Sequence, residues 1–298
     1  MKRIVECVPN FSEGRRKGVV EALAEAGRTV SGVTILDVEM DPNHNRCVIT
    51  FVADPEAAGE AAFRMTRRAV DLIDMNVHRG EHPRLGALDV LPFIPIRGVT
   101  MEDAVRLARE TGRRIAELGI PVYLYEAAAT RPDRRSLPNI RKGEYEGLKE
   151  EIATNRDRAP DYGPLRVHPT AGACVVGARP PLIAYNVNLG TQDVSIAKRI
   201  AKAVREKDGG LPAVRALGFE LRDRGLVQVS MNLVDYKVTP IEKAFDAVAA
   251  LAEKHGVPVV GSEIVGLVPQ GALPDHPMER LRLENFSPNQ ILENRIGG

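Results

Sequence analysis

The stretch from Met75 to Pro95 gathers chemistry-capable side chains more densely than any other part of the chain. It holds two histidines, two arginines, one glutamate and two glycines. Polar, glycine-containing loops of this kind often carry function on a rigid scaffold. His82 precedes Pro83, which biases its backbone toward an extended conformation and can hold the ring out toward a cleft. An imidazole titrates near neutrality, so it can both take and return a proton. The competing reading is a loop histidine tied down by a hydrogen bond. His78 lies four residues earlier, the spacing of a helical metal pair, but Gly80 and Pro83 break any helix there. No metal is therefore expected at these two histidines.

A second candidate runs from Asp161 to Ala178. Gly163, Gly172 and Gly177 permit close backbone approach to a flat ligand, and Arg166 and His168 are suited to a carboxylate or a heterocycle edge. The alternative is a turn leading into a buried strand, Ala173 to Val176. The glycine pattern fits neither a Walker loop nor GxGxxG, which disfavours nucleotide binding. Pro9 to Gly14 reads as a turn-rich loop ahead of a helix. Glu39, Asn45 and Arg46 read either as site residues or as ordinary hairpin residues. No Gly-x-Ser-x-Gly is present, which weakens a hydrolase reading.

The elements that position these residues alternate. Ile4 to Val8 reads as a strand, followed by a helix with Val19, Leu23, Ala26 and Val30 on one face. Strands over Val33 to Val38 and Arg46 to Val52 flank the turn Asp41-Pro42-Asn43. Asp54-Pro55 opens a helix as N-cap and first-position proline. Thr100 opens another, with Ala104, Leu107, Thr111, Ile115 and Leu118 inward, and Gly119 stops it. Pro121 to Tyr125 is then a strand. The second half repeats the order: strand Leu182 to Asn188, a helix from about Thr191, strands near Ala213 to Leu221 and Leu226 to Val234. Thr239-Pro240-Ile241-Glu242 reads as a capping box with first-position proline, and a strand over Val257 to Val260 follows. The phrase Gly119-Ile120-Pro121-Val122 recurs as Gly256-Val257-Pro258-Val259. The fold class expected is thus α+β, with two related split-βαβ (ferredoxin-like) sandwich subdomains, 1–180 and 181–298, each with a mixed sheet covered by helices on one face. The boundary is placed at Arg179-Pro180-Pro181, and a substrate groove is expected between the two. Asn10 and Asn188 occupy equivalent strand-to-helix turns.

Bulk properties exclude several classes. The chain has 298 residues, 41 basic and 40 acidic side chains and a net charge of +1, so no global field draws it to nucleic acid or an anionic membrane. Aromatic content is 4% with no Trp, which is poor material for base stacking. Cys7, Cys47 and Cys174 are odd in number and lie in apolar runs, as buried reduced thiols do. No signal-like or membrane-length apolar run is seen, so a cytoplasmic setting is expected.

Several strings together resemble the formiminotransferase family. They include Val5 to Gly14, Gly80-Glu81-His82-Pro83-Arg84 continuing to Val90, Pro92-Phe93-Ile94-Pro95, and Pro121 to Tyr125. Ser136-Leu137-Pro138, Gly143-Glu144-Tyr145-Glu146, Asn186 to Leu189 and Val259 to Pro269 complete the set, which spans nearly the whole chain. The resemblance implies N- and C-terminal formiminotransferase subdomains and transfer of a formimino group between N-formimino-L-glutamate and tetrahydrofolate N5, in histidine breakdown and one-carbon metabolism. It implies His82 as the catalytic acid–base and tetrahydrofolate as co-substrate, with no metal. The family's folate-binding stretch falls on Gly163, Pro164, Leu165, Arg166, Val167, His168, Pro169, Thr170, Ala171 and Gly172. Of these, Gly163, Pro164, Pro169 and Gly172 keep the family pattern, and the other six vary.

Animal members continue into a cyclodeaminase domain, so a separate cyclodeaminase is expected downstream here, with a homodimer as the assembly. Arginine forks suit the carboxylates of glutamate and of the folate tail, with Arg46, Arg84 and Arg166 as candidates. Glu39 or Asp89 is the candidate for orienting His82, and Asn10 and Asn188 line the expected groove. Competing readings are a 5-formyltetrahydrofolate-using formyltransferase of the same family, a non-catalytic folate-binding protein, and a regulatory or structural role.

Overall fold

A computed structural model describes residues 3–296, and the chain divides into two compact units, one ending at Arg179 and the other beginning at Pro180.

The first unit opens with β1 (Ile4–Cys7) and β2 (Asn10–Phe11). Then come α1 (Lys17–Arg28), β3 (Thr34–Asp41), β4 (Arg46–Ala53), α2 (Pro55–Leu72) and β5 (Leu88–Arg97). The strands β1 and β2 keep one register against β4, with Cys7 opposite Phe51 and Asn10 opposite Val48. They act as one strand interrupted at Val8-Pro9, where proline lacks an N–H. Part of the expected loop at Pro9 to Gly14 is therefore strand. β5 pairs antiparallel with β1 and β2, and β3 pairs with β4. This closes the split-βαβ core.

An extension follows: α3 (Met101–Ala116), β6 (Val122–Glu126), two short helices α4 (Leu137–Ile140) and α5 (Glu144–Glu151), and β7 (Cys174–Ala178). β7 runs parallel to both β5 and β6, so this seven-stranded sheet is mixed.

Helix ends follow local chemistry. The Asp54 side chain accepts from the Ala57 N–H with Pro55 just inside α2, and Thr100 and Asp103 form a capping box on α3. The face of α1 that is fully buried is Val20, Leu23, Ala24 and Gly27, one residue round from the Val19 and Ala26 face expected. Gly27 fits the rotation: a Cβ there would lie 3.0 Å from Met65 Sδ of α2, so the bare backbone lets the helices meet without displacing that side chain. The core between α1, α2, α3 and the sheet includes Phe11, Leu23, Phe51, Met65, Phe93 and Ile115. A second cluster, with Leu85, Tyr123, Ile140, Leu148 and Val175, packs α4 and α5 against other residues of the sheet. Helices thus cover both faces of this sheet, not the one face expected.

The second unit is β8 (Ile183–Leu189), α6 (Val194–Val204), β9 (Val214–Leu221), β10 (Leu226–Leu233), α7 (Ile241–Lys254) and β11 (Val259–Val265). Its order is β11-β8-β10-β9 and every pairing is antiparallel, so this sheet is not mixed as expected. The split-βαβ order makes it so: each helix crossover skips one strand position, leaving every neighbour antiparallel. Ile183, Tyr185, Val187 and Leu189 of β8 alternate into the core against Ala197, Ile200, Phe245 and Val248.

Two sequence expectations fail here. The Thr239 hydroxyl donates to the Pro212 carbonyl instead of capping α7, whose first turn has no side-chain cap. The partner of β11 in the first unit is β5, not the strand after Gly119-Ile120-Pro121. Both β5 and β11 flank the first strand of their unit, whereas β6 pairs with β7. No helix among the described residues is long and apolar enough to cross a membrane.

Candidate active site

The loop joining α2 to β5 carries His82, and it is fixed from several sides. The Asn45 side chain accepts from the Gly14 N–H at 3.0 Å and donates to the Arg79 carbonyl at 3.0 Å. The Asn45 carbonyl meets His78 Nε2 at 2.8 Å. Asn45 does this from a left-handed backbone, φ 48°, which asparagine tolerates better than most residues. One buried side chain in the β3–β4 turn therefore ties together the segment after β2 and the His82 loop. The Glu81 N–H also reaches the Asn43 carbonyl at 3.4 Å.

His78 accepts at Nδ1 from Arg84 Nε at 3.4 Å, so both its ring nitrogens are engaged. It is a strut of the loop. Among the described residues no group of three His, Cys, Asp or Glu is arranged to hold a metal.

Gly80 allows the loop to lie on the turn. A Cβ there would stand 2.1 Å from the His44 carbonyl oxygen, far inside any real contact. Gly80→Ala is expected to lower the melting temperature by a few degrees, because relieving the clash strains the Asn45–Arg79 and Glu81–Asn43 bonds. Turnover should fall by roughly tenfold or more, since misplacement by about an ångström is costly. Paired thermal melts and steady-state rates check this.

His82 itself is half-buried, its ring 6.1 Å from that of His44 in an edge-on arrangement. Its Nδ1 is buried and has no hydrogen-bond partner among the described residues. Burial pulls its pKa down to about 4, and the positive charges of Arg46 and Arg141 add to this against the opposing pull of Asp89. Arg46 comes from the start of β4 and donates to Asn10 Oδ1. Asp89, at the start of β5, accepts from the Leu85 N–H at 2.8 Å and pairs with Arg141, just after α4. His82, Arg46 and Asp89 line one narrow cleft with Phe11, Ser12 and His44. The cleft is too narrow for a folate, and a substrate group enters it only as the lining side chains part. A roomier cleft on the outer face of α3, near Val105, Arg109 and Arg113, shares no residue with it.

Other expected site residues are placed as follows. Arg84 is buried and fully engaged, donating to Glu146 at 2.7 and 2.8 Å and to Glu144 at 3.0 Å. It fastens the loop to α5, which argues against a substrate clamp. Glu39 is exposed on β3 and bears on Arg46 by charge, and it is not among the charges that shift His82. Asp89 acts on His82 by charge while its own hydrogen bonds go to Leu85 and Arg141.

The Gly163–Gly172 stretch lies against the segment that follows His82. Ala87 N–H donates to the Ala171 carbonyl at 2.9 Å, Ala173 N–H to the Leu85 carbonyl at 3.0 Å, and Met75 N–H to the Thr170 carbonyl at 2.7 Å. His168 Nδ1 accepts from the Ala171 N–H at 3.0 Å, closing the turn with its ring. Leu165 and Arg166 are exposed at the outer end of the stretch. Gly163 and Gly172 take positive φ, 89° and 71°, and a Cβ on either would strike backbone.

Asn188, in the second unit, is fully buried. It donates to Glu284 at 3.0 Å and accepts from Gln228 at 2.9 Å, in a network that continues to Glu263 and Asn186. The sequence reading missed Arg141. Its only signal was proximity to the strings around Ser136 and Gly143.

Comparison with known proteins is consistent along the chain. Residues 4–179 match the family model described as formiminotransferase domain, N-terminal subdomain, and residues 184–281 that of the formiminotransferase domain. A glutamate formimidoyltransferase of Thermoplasma acidophilum is 53% identical over 296 residues, covering 98% of this chain and 97% of the relative. One from Streptococcus pyogenes serotype M1 is 46% identical over the full length of both. A formimidoyltransferase-cyclodeaminase of Sus scrofa is 48% identical over 92% of this chain and 52% of its own length.

Proposed function

Since the chain belongs to the formiminotransferase family, we propose that it moves a formimino group between N-formimino-L-glutamate and tetrahydrofolate N5 in histidine degradation, with His82 as general acid and base. It is an enzyme, a one-carbon transferase of the glutamate formimidoyltransferase type. The observation that carries the acid–base role is the buried His82 Nδ1 without a partner, on a loop held from three sides. A ring nitrogen that the fold leaves unengaged is available to a reacting group.

The chemistry is amidine exchange. Folate N5 adds to the formimino carbon, forming a C–N5 bond and a tetrahedral adduct whose N5 carries an extra proton. Neutral His82 takes that proton. The imidazolium returns it to the glutamate nitrogen as the C–N bond to glutamate breaks, and glutamate leaves as an amine. The reverse direction uses the same proton path. Positioned acid–base groups contribute roughly a hundred- to ten-thousandfold, and holding the two substrates together supplies much of the rest. Tetrahydrofolate enters as co-substrate, and the Gly163–Gly172 stretch, laid against Leu85 to Ala87, is the proposed folate-binding segment.

The direct test is incubation with formiminoglutamate and tetrahydrofolate, followed at the folate, with 5-formyltetrahydrofolate plus glutamate as the parallel arm. Transfer confined to the formyl arm overturns the reading.

A pH prediction follows from the depressed His82. The free enzyme keeps this ring neutral down to about pH 4, so its acid limb in kcat/KM belongs there and not at the ordinary 6.5. The stability effect has the same origin. Between pH 6.5 and about 4 the unfolded chain takes up a proton at this residue that the folded chain refuses. His82 thus destabilises the fold as pH falls through that window and costs nothing above it. Profiles of kcat/KM corrected for substrate ionisation check the limb. One near 6.5 that belongs to His82 contradicts it.

A further inference from the structure

Among the described residues six buried side-chain polar atoms lack a hydrogen-bond partner, and three of them belong to one site: Arg46 Nε, Arg141 Nε and His82 Nδ1. Leaving a buried guanidinium N–H unmade is costly, and two such donors bearing on one histidine call for a shared acceptor. Each guanidinium is anchored at its far end, Arg46 on Asn10 and Arg141 on Asp89. That anchoring pre-sets their planes while leaving Nε free. Asp89 is the one carboxylate that bears on His82 beside these two guanidiniums, and Glu39 reaches Arg46 from exposed β3, so on the His82 side positive charge outweighs negative, and an anion would balance it.

We propose that Arg141 and Arg46 form a carboxylate clamp that holds the amino-acid substrate beside His82. This rests on the transfer reading above. Both substrates carry carboxylates, and chemistry selects between them. In glutamate a single carbon separates the amine from the α-carboxylate, so an α-carboxylate on the clamp brings the exchanging nitrogen to His82. In folate the whole aminobenzoyl unit stands between N5 and the glutamate tail, so a tail on the clamp would take N5 away from the histidine.

The clamp has a second consequence. The charged and titratable groups around His82 are Arg46 on β4, Asp89 on β5, Arg141 after α4, and His44, His78 and Arg84 from the turn and loop. A carboxylate on the two arginines cancels part of the field that holds the ring neutral, so binding the amino acid makes His82 a stronger base where it is needed.

Arg141→Lys keeps a cation for Asp89 but removes the fork, and Arg141→Met removes both. Each is expected to raise KM for formiminoglutamate by roughly ten- to a hundredfold, the loss of a charge-assisted pair, while KM for tetrahydrofolate stays within about twofold. Tetrahydropteroate, which lacks the tail, separates the sources. If the variants lose discrimination between it and tetrahydrofolate while KM for formiminoglutamate holds, the clamp binds folate and the proposal is overturned. An unchanged KM for formiminoglutamate in a folded variant overturns it too.

Should Arg141→Met fail to fold, wild-type protein decides: ring NMR of His82 should show its titration moving upward when glutamate is added, and no movement overturns the proposal. This measurement needs no turnover. A wild type that binds glutamate in this way yet transfers nothing defeats the functional reading and leaves the clamp standing.

Discussion

His82→Ala should fold, bind tetrahydrofolate as wild type does, and transfer the formimino group at least a hundredfold more slowly. The fold is spared because the buried Nδ1 has no partner among the described residues, the ring otherwise bonds the backbone of the adjacent Pro83, and the loop is held by Asn45, His78, Gly80 and Arg84 without it. Rate is not spared, because the proton from folate N5 then has no acceptor at the adduct. General acid–base groups contribute about 10² to 10⁴, which is roughly 3 to 5.5 kcal/mol of barrier. The loss should appear in kcat more than in either KM. Added imidazole should restore part of the rate, since removing the ring leaves a ring-sized space. Near-normal turnover in a folded variant would sink the assignment.

Gly86→Ala should produce the largest change in stability. A Cβ at residue 86 would lie 2.1 Å from the Ala173 carbonyl oxygen and 2.5 Å from that of Ala171, both backbone atoms with no rotamer to escape into. The site is a bridge between Gly86 and Gly172, flanked by the Ala87–Ala171 and Ala173–Leu85 bonds, and the Ser12 hydroxyl donates to the Gly86 carbonyl at 2.7 Å. Making room for a methyl group breaks part of this set. Overpacking costs roughly 1 to 3 kcal/mol, and each buried bond lost adds about 1. A total of about 2 to 5 kcal/mol lowers the melting temperature by about 5 to 15 °C for a unit of this size. Turnover should fall as well, because the same residues carry the chain from His82 into β5. Calorimetry on the whole chain checks it, and a melt within about two degrees of wild type contradicts it.

Much of this arrangement was legible in the residues and some was not. His82 could be singled out because its type and its following proline are local facts. The helices at Asp54 and Thr100 were readable for the same reason: a cap is decided within one turn. β5 was hidden because Pro92 and Pro95 argue against a central strand. It survives because Pro92 presents its carbonyl to the Val8 N–H, a bond that needs no proline donor. Thr239 misled because a capping sequence says what a hydroxyl can reach locally, and here the Pro212 carbonyl outcompetes the helix. Arg84 looked like a substrate arginine from its place beside His82, yet Glu144 and Glu146 claim it from a helix far along the chain. Arg141 was invisible for the converse reason. It reaches Asp89 only because α4 packs through Ile140 onto the cluster with Tyr123 and Val175, and no local pattern announces that contact.

The same hairpin occurs twice in this chain, and its two copies have unequal freedom to change length. The β9–β10 turn, Arg222 to Arg224, is exposed on all three residues. Residues can be gained there at the cost of the half-exposed Arg224–Glu284 pair. In the β3–β4 turn, His44 lies against Gly80, and Asn43 and Asn45 hold backbone of the histidine loop. An insertion between Asn43 and His44 is felt at His82, in a separate stretch of chain. A tag, a graft or a chance duplication of a codon is therefore tolerated in one copy and inactivating in the other, although the two turns join equivalent pairs of strands.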